Sequence, residues 1–141
     1  MSINTIAKES KITLQGLHHF ALNVRDMNRS EKFYTEVVGF PVINRTETRS
    51  GVKHFEIDAG NVVLALFENP NLDFESAQKV MTDDGFLHFA FGARPEQYED
   101  IVQNFKDHNV ELDGEPRNHP GGTSIYFDDP DGHRLEIHFS D

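Results

Sequence analysis

Short apolar runs and amphipathic stretches follow one another in the same order twice along this chain. Leu17-His18-His19-Phe20-Ala21-Leu22 and Phe86-Leu87-His88-Phe89-Ala90-Phe91 are aromatic-rich runs of the kind that form buried strands, with His19 and His88 in register 69 residues apart. Each run leads into a helical pattern. In the first, Asp26 caps a stretch whose Ser30, Phe33, Tyr34, Val37 and Val38 recur every third or fourth position up to Gly39. In the second, Pro95 opens a helix with a stripe of Tyr98, Ile101, Val102 and Phe105 before His108-Asn109. Three strand-like pieces close each half: Pro41 to Arg45, His54 to Asp58 and Val62 to Phe67, then Val110 to Leu112, Thr123 to Phe127 and Leu135 to Phe139. Each half therefore reads β-α-β-β-β. Module 1 covers about 14–68 and module 2 about 85–140 of one domain, 1–141. The polar stretch Glu68 to Gly85 links them, with one short helix expected over Phe74 to Met81.

Charge and composition narrow the function. With 13 basic and 24 acidic residues the net charge is −11, a field that repels phosphate backbones and anionic lipid, so neither nucleic acid nor a membrane is an expected partner. No apolar run approaches the length of a membrane span, and the first 16 residues lack the apolar core of a signal peptide, which predicts a cytoplasmic protein. The absence of cysteine removes disulfides, thiolate ligands and a cysteine nucleophile. Eight histidines remain as the candidate chemistry.

Strand alternation sorts them. His18 and His19 point opposite ways, and the repeat selects His19 as the counterpart of His88. In Leu135-Glu136-Ile137-His138-Phe139 the apolar residues face one layer, so Glu136 and His138 face the other. A carboxylate on the inner side of a buried strand is costly without a cation. Two imidazoles and one carboxylate are also the facial set that leaves metal positions open for substrate. Spacing alone leaves two readings standing: satisfied core histidines, or a metal triad of His19, His88 and Glu136. His18, His108 and His133 read as structural or exposed, and His138 is unassigned.

The sequence resembles the vicinal-oxygen-chelate superfamily, which contains glyoxalase, fosfomycin-resistance, bleomycin-resistance and extradiol ring-cleavage proteins. The resemblance is carried by Leu17 to Asp26 with Phe33-Tyr34 and Gly39-Phe40, by His88, and by the run Tyr126-Phe127-Asp128-Asp129-Pro130-Asp131-Gly132-His133-Arg134-Leu135-Glu136. It implies an α+β fold in which paired βαβββ modules form a cup-shaped curved mixed sheet around one divalent metal ion. The implied ligands are His19, His88 and Glu136. It further implies a homodimer, and leaves open whether a site lies within one chain or is shared between two.

Departures from the family's patterns narrow the reading. The second glutamate of glyoxalase-type sites would fall at Leu64 or Ala65, and Glu68 lies about 13 Å further along at ~3.3 Å per residue, which disfavours that lyase. Fosfomycin-modifying enzymes share the three-ligand pattern and a tyrosine matching Tyr126. Their phosphonate-binding lysine and serine, however, would fall at Pro116 and Pro120. The extradiol pattern matches His119, Ile125, Tyr126, the Asp129-Pro130-Asp131-Gly132 turn and Glu136, but Arg117 departs from it. The resulting expectation is an extradiol-dioxygenase-like enzyme acting on a small substrate chelated through vicinal oxygens. It would use Fe(II) or Mn(II), with Zn or Ni as alternatives, and Tyr126 and His119 as catalytic groups. The extra acid–base histidine of that group has no clear match; His54 is a guess. The alternatives are a non-redox lyase or isomerase, a fosfomycin-resistance-like transferase, and a metal-free binding protein of the bleomycin-resistance kind.

Overall fold

The computed structural model describes residues 11–75 and 86–141. The expected helix over Phe74 to Met81 lies largely outside them. Module 1 contains β1 (His19–Val24), α1 (Met27–Lys32) with a π-helical turn (Phe33–Val37), β2 (Val42–Glu47), β3 (Lys53–Asp58) and β4 (Val63–Glu68). Module 2 contains β5 (Phe89–Ala93), a 3₁₀ turn (Pro95–Gln97), α2 (Tyr98–Asp107), β6 (Arg117–His119), β7 (Gly122–Asp128) and β8 (Arg134–Phe139). The sheets have the same topology, β1-β4-β3-β2 and β5-β8-β7-β6, each with its first strand parallel to its last and the other pairs antiparallel. The paired βαβββ fold is thus present, built as two mixed four-stranded sheets.

One expected strand is absent. Val110 to Leu112 does not pair into the sheet; the outer strand of module 2 is Arg117–His119. The end of α2 explains the difference. Asn109 adopts a left-handed φ of 57°, and Val110 donates its N–H back to the Phe105 carbonyl at 2.9 Å, which leaves the segment closing a helix. The apolar runs also begin earlier than the strands they predict. Leu17, Phe86 and Leu87 precede β1 and β5 and are exposed.

Helix α1 begins where expected. Asp26 is extended and accepts the N–H of Arg29 at 3.2 Å, while Glu68, at the end of β4, accepts the N–H of Met27 at 2.8 Å. The helix then widens: Val38 donates to the carbonyl of Phe33, five residues back, at 3.1 Å. The wider turn buries Phe33, Tyr34 and Val37 together with Met27 and Ser30. One core results, running through both modules from Leu22, Ile57 and Leu66 to Phe105, Phe127 and Ile137.

A buried polar clasp joins α1 to the β7–β8 turn. Asp129 accepts from the Tyr34 hydroxyl and from His133 Nδ1, both at 2.7 Å, and from the N–H groups of Asp131 and His133, both at 2.9 Å. Asp131 accepts from Arg29 Nη2 at 2.7 Å and from the Arg25 N–H at 3.2 Å. Burial and the Asp129 charge hold the Tyr34 phenol well above its usual range. Burial opposes a charge on His133, but the hydrogen bond and charge of Asp129, with Asp131 beyond it, outweigh burial and raise its pKa.

A histidine with a raised folded-state pKa stabilises fully below its unfolded value, about 6.5, and loses that contribution as pH rises through the folded value. His133→Gln is therefore expected to cost more stability at pH 6 than at pH 9 in urea unfolding. An equal cost at both pH values would show that the imidazole acts there only as a neutral hydrogen-bonding group.

Candidate metal centre

Each sheet turns one face to the common core and the other away from it. In sheet 2 the register sets Ile125 opposite Ile137 and Phe127 opposite Leu135 on the core face. On the other face Tyr126 lies opposite Glu136 and Ser124 opposite His138. Arg117 is opposite Ser124, and β5 adds Ala90 beside Glu136 and Gly92 beside His138, with His88 two residues before Ala90. The outward face of sheet 2 is thus polar, floored by small residues on β5.

The two expected ligands of module 2 meet on this face. His88 Nε2 lies 3.1 Å from Glu136 Oε1, and Glu136 is only 8% exposed. His88 Nδ1 is 2.7 Å from the Phe86 carbonyl, an acceptor only, so Nδ1 carries a hydrogen and, in a neutral ring, Nε2 would present a lone pair to the carboxylate. Two lone-pair atoms at that distance need a proton or a cation between them. Two ligands in cis positions of an octahedron, each about 2.1 Å from the ion, are about 3.0 Å apart; tetrahedral ligands would be about 3.4 Å apart. At 3.1 Å the two atoms are close enough to hydrogen-bond through a protonated imidazole or to share one divalent ion.

His19 is not part of that pair. It occupies the outward face of β1 with Ala21 and Asn23, while the intervening Phe20 stacks on Phe89 of module 2 at 4.9 Å between centroids. Strand alternation turns His19 away as Phe20 packs inward. Among the described residues no group of three His, Cys, Asp or Glu side chains comes together to hold a metal. His19 Nδ1 lies 2.8 Å from His18 Nδ1, a contact between strand neighbours made possible because β1 begins only at His19. Its Nε2 is left for other partners. The outward face of sheet 1 also carries His54 and Glu56, with Glu56 in register with Ala65 and through it with Ala21. His54 stacks on Phe67 at 4.1 Å, and its buried Nε2 has no hydrogen-bond partner.

Tyr126 and His119 adjoin each other, with His119 Nε2 3.3 Å from the phenol oxygen. The Tyr126 ring lies 6.4 Å from that of His88, and the Arg117 guanidinium sits over it at 5.4 Å. Ser124 was absent from the candidates. It is fully buried and bonds Glu136 Oε2 at 2.6 Å and His138 Nδ1 at 2.8 Å. The signal for it was present, since Ser124 stands two residues before Tyr126 and so shares its face.

The metallothiol transferase FosB of Staphylococcus haemolyticus is 30% identical over 126 residues, spanning 89% of this chain and 84% of its own. The glutathione transferase FosA of Serratia marcescens is 29% identical over 125 residues, spanning 89% and 81%. The crystal structure of the fosfomycin-resistance protein FosX of Listeria monocytogenes at pH 6.5 has the same fold, with a TM-score of 0.74 and 24% identity over 92% of this chain and 96% of that one. The family model for the Glyoxalase/Bleomycin resistance protein/Dioxygenase superfamily matches residues 16–137, and the chain belongs to that superfamily.

Proposed function

We propose that this protein is a divalent-metal-dependent enzyme of the fosfomycin-resistance type, whose metal site is completed between two copies of the chain. The observation that carries the reading is the His88–Glu136 pair, 3.1 Å apart on a polar face where no third ligand joins them among the described residues. His19 supplies the third from the corresponding face of a second copy. The chain is suited to such pairing. β1 and β5 are edge strands, each bonded on one side only, and the exposed Leu17, Phe86 and Leu87 adjoin them. Covering this surface and joining the two polar faces are accomplished by the same association.

The named relatives are a metallothiol and a glutathione transferase, which favours addition of a nucleophile over ring cleavage by dioxygen. A FosX structure that shares the fold holds Mn(II). A divalent ion would act as a Lewis acid on an oxygen of the substrate. The chain's own residues do the rest. His88, Glu136 and His19 hold the ion, and the Tyr126 hydroxyl, beside His119, lies at the same face to hydrogen-bond a substrate oxygen. Arg117 brings one cation to that rim, while Pro116 and Pro120 bring none.

Fosfomycin is the first substrate to test, with Mn(II)-loaded protein and, in turn, glutathione, cysteine and water as nucleophile, followed by ³¹P NMR. Conversion with any of the three supports the reading. Full metal loading without conversion would remove fosfomycin and direct the search to less anionic electrophiles, as the missing counterions suggest. A chain that binds no divalent metal would overturn the enzyme reading in favour of a binding protein.

A further inference from the structure

Ser124 joins the site without being one of its expected ligands or catalytic groups. It lies on β7 between Glu136 and His138 of β8, fully buried, with its oxygen 2.6 Å from Glu136 Oε2 and 2.8 Å from His138 Nδ1. A hydroxyl has one hydrogen to give and lone pairs to receive. An ionised carboxylate only accepts, so the Ser124 hydrogen goes to Glu136, and Ser124 must then accept from His138. The direction of both bonds follows from that inventory.

We infer that Ser124 is a positioning residue that turns Glu136 Oε1 toward the ion and holds His138 with its hydrogen on Nδ1, leaving Nε2 as an acceptor beside Gly121. Two consequences follow. Oε2 accepts from Ser124 while Oε1 faces His88, so the hydrogen bond turns Oε1 toward the ion. The Nδ1–H form of His138 leaves an Nε2 lone pair without a protein partner among the described residues. That nitrogen lies beside Gly121, where an added Cβ would stand 3.8 Å from it, and the His119 ring is 6.2 Å away, centroid to centroid. An acceptor there selects a ligand with a hydrogen to donate, such as a hydroxyl, thiol or amide group on the substrate or the attacking nucleophile. A substrate offering only acceptors at that position meets a lone pair and is disfavoured.

The first part of this inference rests on the metal reading and the second does not, so the test reads them separately. In metal-free protein with ¹⁵N-labelled histidine, long-range ¹H–¹⁵N correlation is expected to show His138 in the Nδ1–H form, and Ser124→Ala to lose that preference. Mn(II) titration by calorimetry is expected to show about 10–100-fold weaker binding for Ser124→Ala, the usual effect of removing a ligand's outer hydrogen bond. Ser124→Thr, which keeps the hydroxyl, should recover most of that loss, and matched melting temperatures will show that each variant is folded. An Nε2–H form of His138 in the native protein would overturn the inference, as would Mn(II) binding by Ser124→Ala within twofold of native. If the native chain binds no Mn(II), the metal reading fails, and the form of His138 still decides the role of Ser124 as its holder.

Discussion

Chains carrying His19→Ala and chains carrying Glu136→Gln are each expected to lose tight metal binding and activity, and a heterodimer of the two is expected to regain about half of both. If each site takes His19 from one copy and His88 with Glu136 from the other, a heterodimer has two unequal sites. One collects both substitutions and is dead. The other receives His19 from the Glu136→Gln chain and Glu136 from the His19→Ala chain, and is intact. Heterodimers isolated with two different affinity tags should therefore bind about half the native metal per chain. Random mixing should give about a quarter, because only half the dimers are mixed. Each homodimeric variant should bind metal at least 100-fold more weakly, since losing even an outer-shell partner costs about 10–100-fold. A site closed within one chain predicts no recovery at any mixing ratio, and recovery of none would sink the shared site. The geometry already weighs against that alternative, because His19 stands on the outward face of β1 in one sheet while His88 meets Glu136 of the other sheet, and no third such side chain joins that pair among the described residues.

The repeat was legible because it is written in local pattern. A strand fixes which residues share a face, so the correspondence of His19 with His88 and the placement of Glu136 on the face opposite Leu135 and Ile137 could be read without any long-range contact. The modules, the cap at Asp26 and most strands followed from the same periodicities. What escaped was set by contacts distant in sequence or by the exact course of the backbone. Val110 to Leu112 has the composition of a strand, yet the α2 terminus bends it back onto Phe105. The π-helical turn at Phe33 matches no simple period, because its purpose is to bury neighbouring Phe33 and Tyr34 together. His18 and His19 were placed on opposite faces by an alternation that applies only inside a strand, and His18 lies just outside one. The Asp129-Pro130-Asp131-Gly132 run was recognisable as a turn, but its partners Tyr34 and Arg29 are about a hundred residues away. The weighting between ring cleavage and nucleophile addition also lay beyond spacing, since both chemistries use the same three ligands, and similarity to known transferases moved it.

That turn is where the largest stability effect is expected. Asp129 receives four hydrogen bonds on a side chain with no solvent exposure. Asp129→Ala removes the acceptor and strands the Tyr34 hydroxyl, the His133 ring and two turn N–H groups in the interior. Breaking a buried, charge-assisted network from one side costs about 3–5 kcal/mol, against about 1 kcal/mol for a typical exposed pair. Tyr34→Phe removes one donor and leaves the carboxylate its other three, so its cost should be nearer 1–2 kcal/mol. Because the two residues share a bond, the double variant should fall short of the sum of the singles by about 1 kcal/mol or more in urea unfolding. An Asp129→Ala loss below about 1 kcal/mol would mean that water reaches the turn and satisfies those donors.

The same substitution also bears on the metal. β8 leaves this turn and carries Glu136 seven residues after Asp129, so the clasp sets where the carboxylate emerges relative to His88, which immediately precedes the neighbouring strand β5. At a temperature where Asp129→Ala remains folded, Mn(II) binding should weaken, although no ligand has been touched. Tyr34→Phe, which leaves the turn's own hydrogen bonds in place, should bind Mn(II) nearly as the native chain does. That contrast separates a turn that aims the ligand from one that merely stabilises the fold. If both variants bound Mn(II) equally well, Glu136 would be held by Ser124 and its sheet neighbours alone.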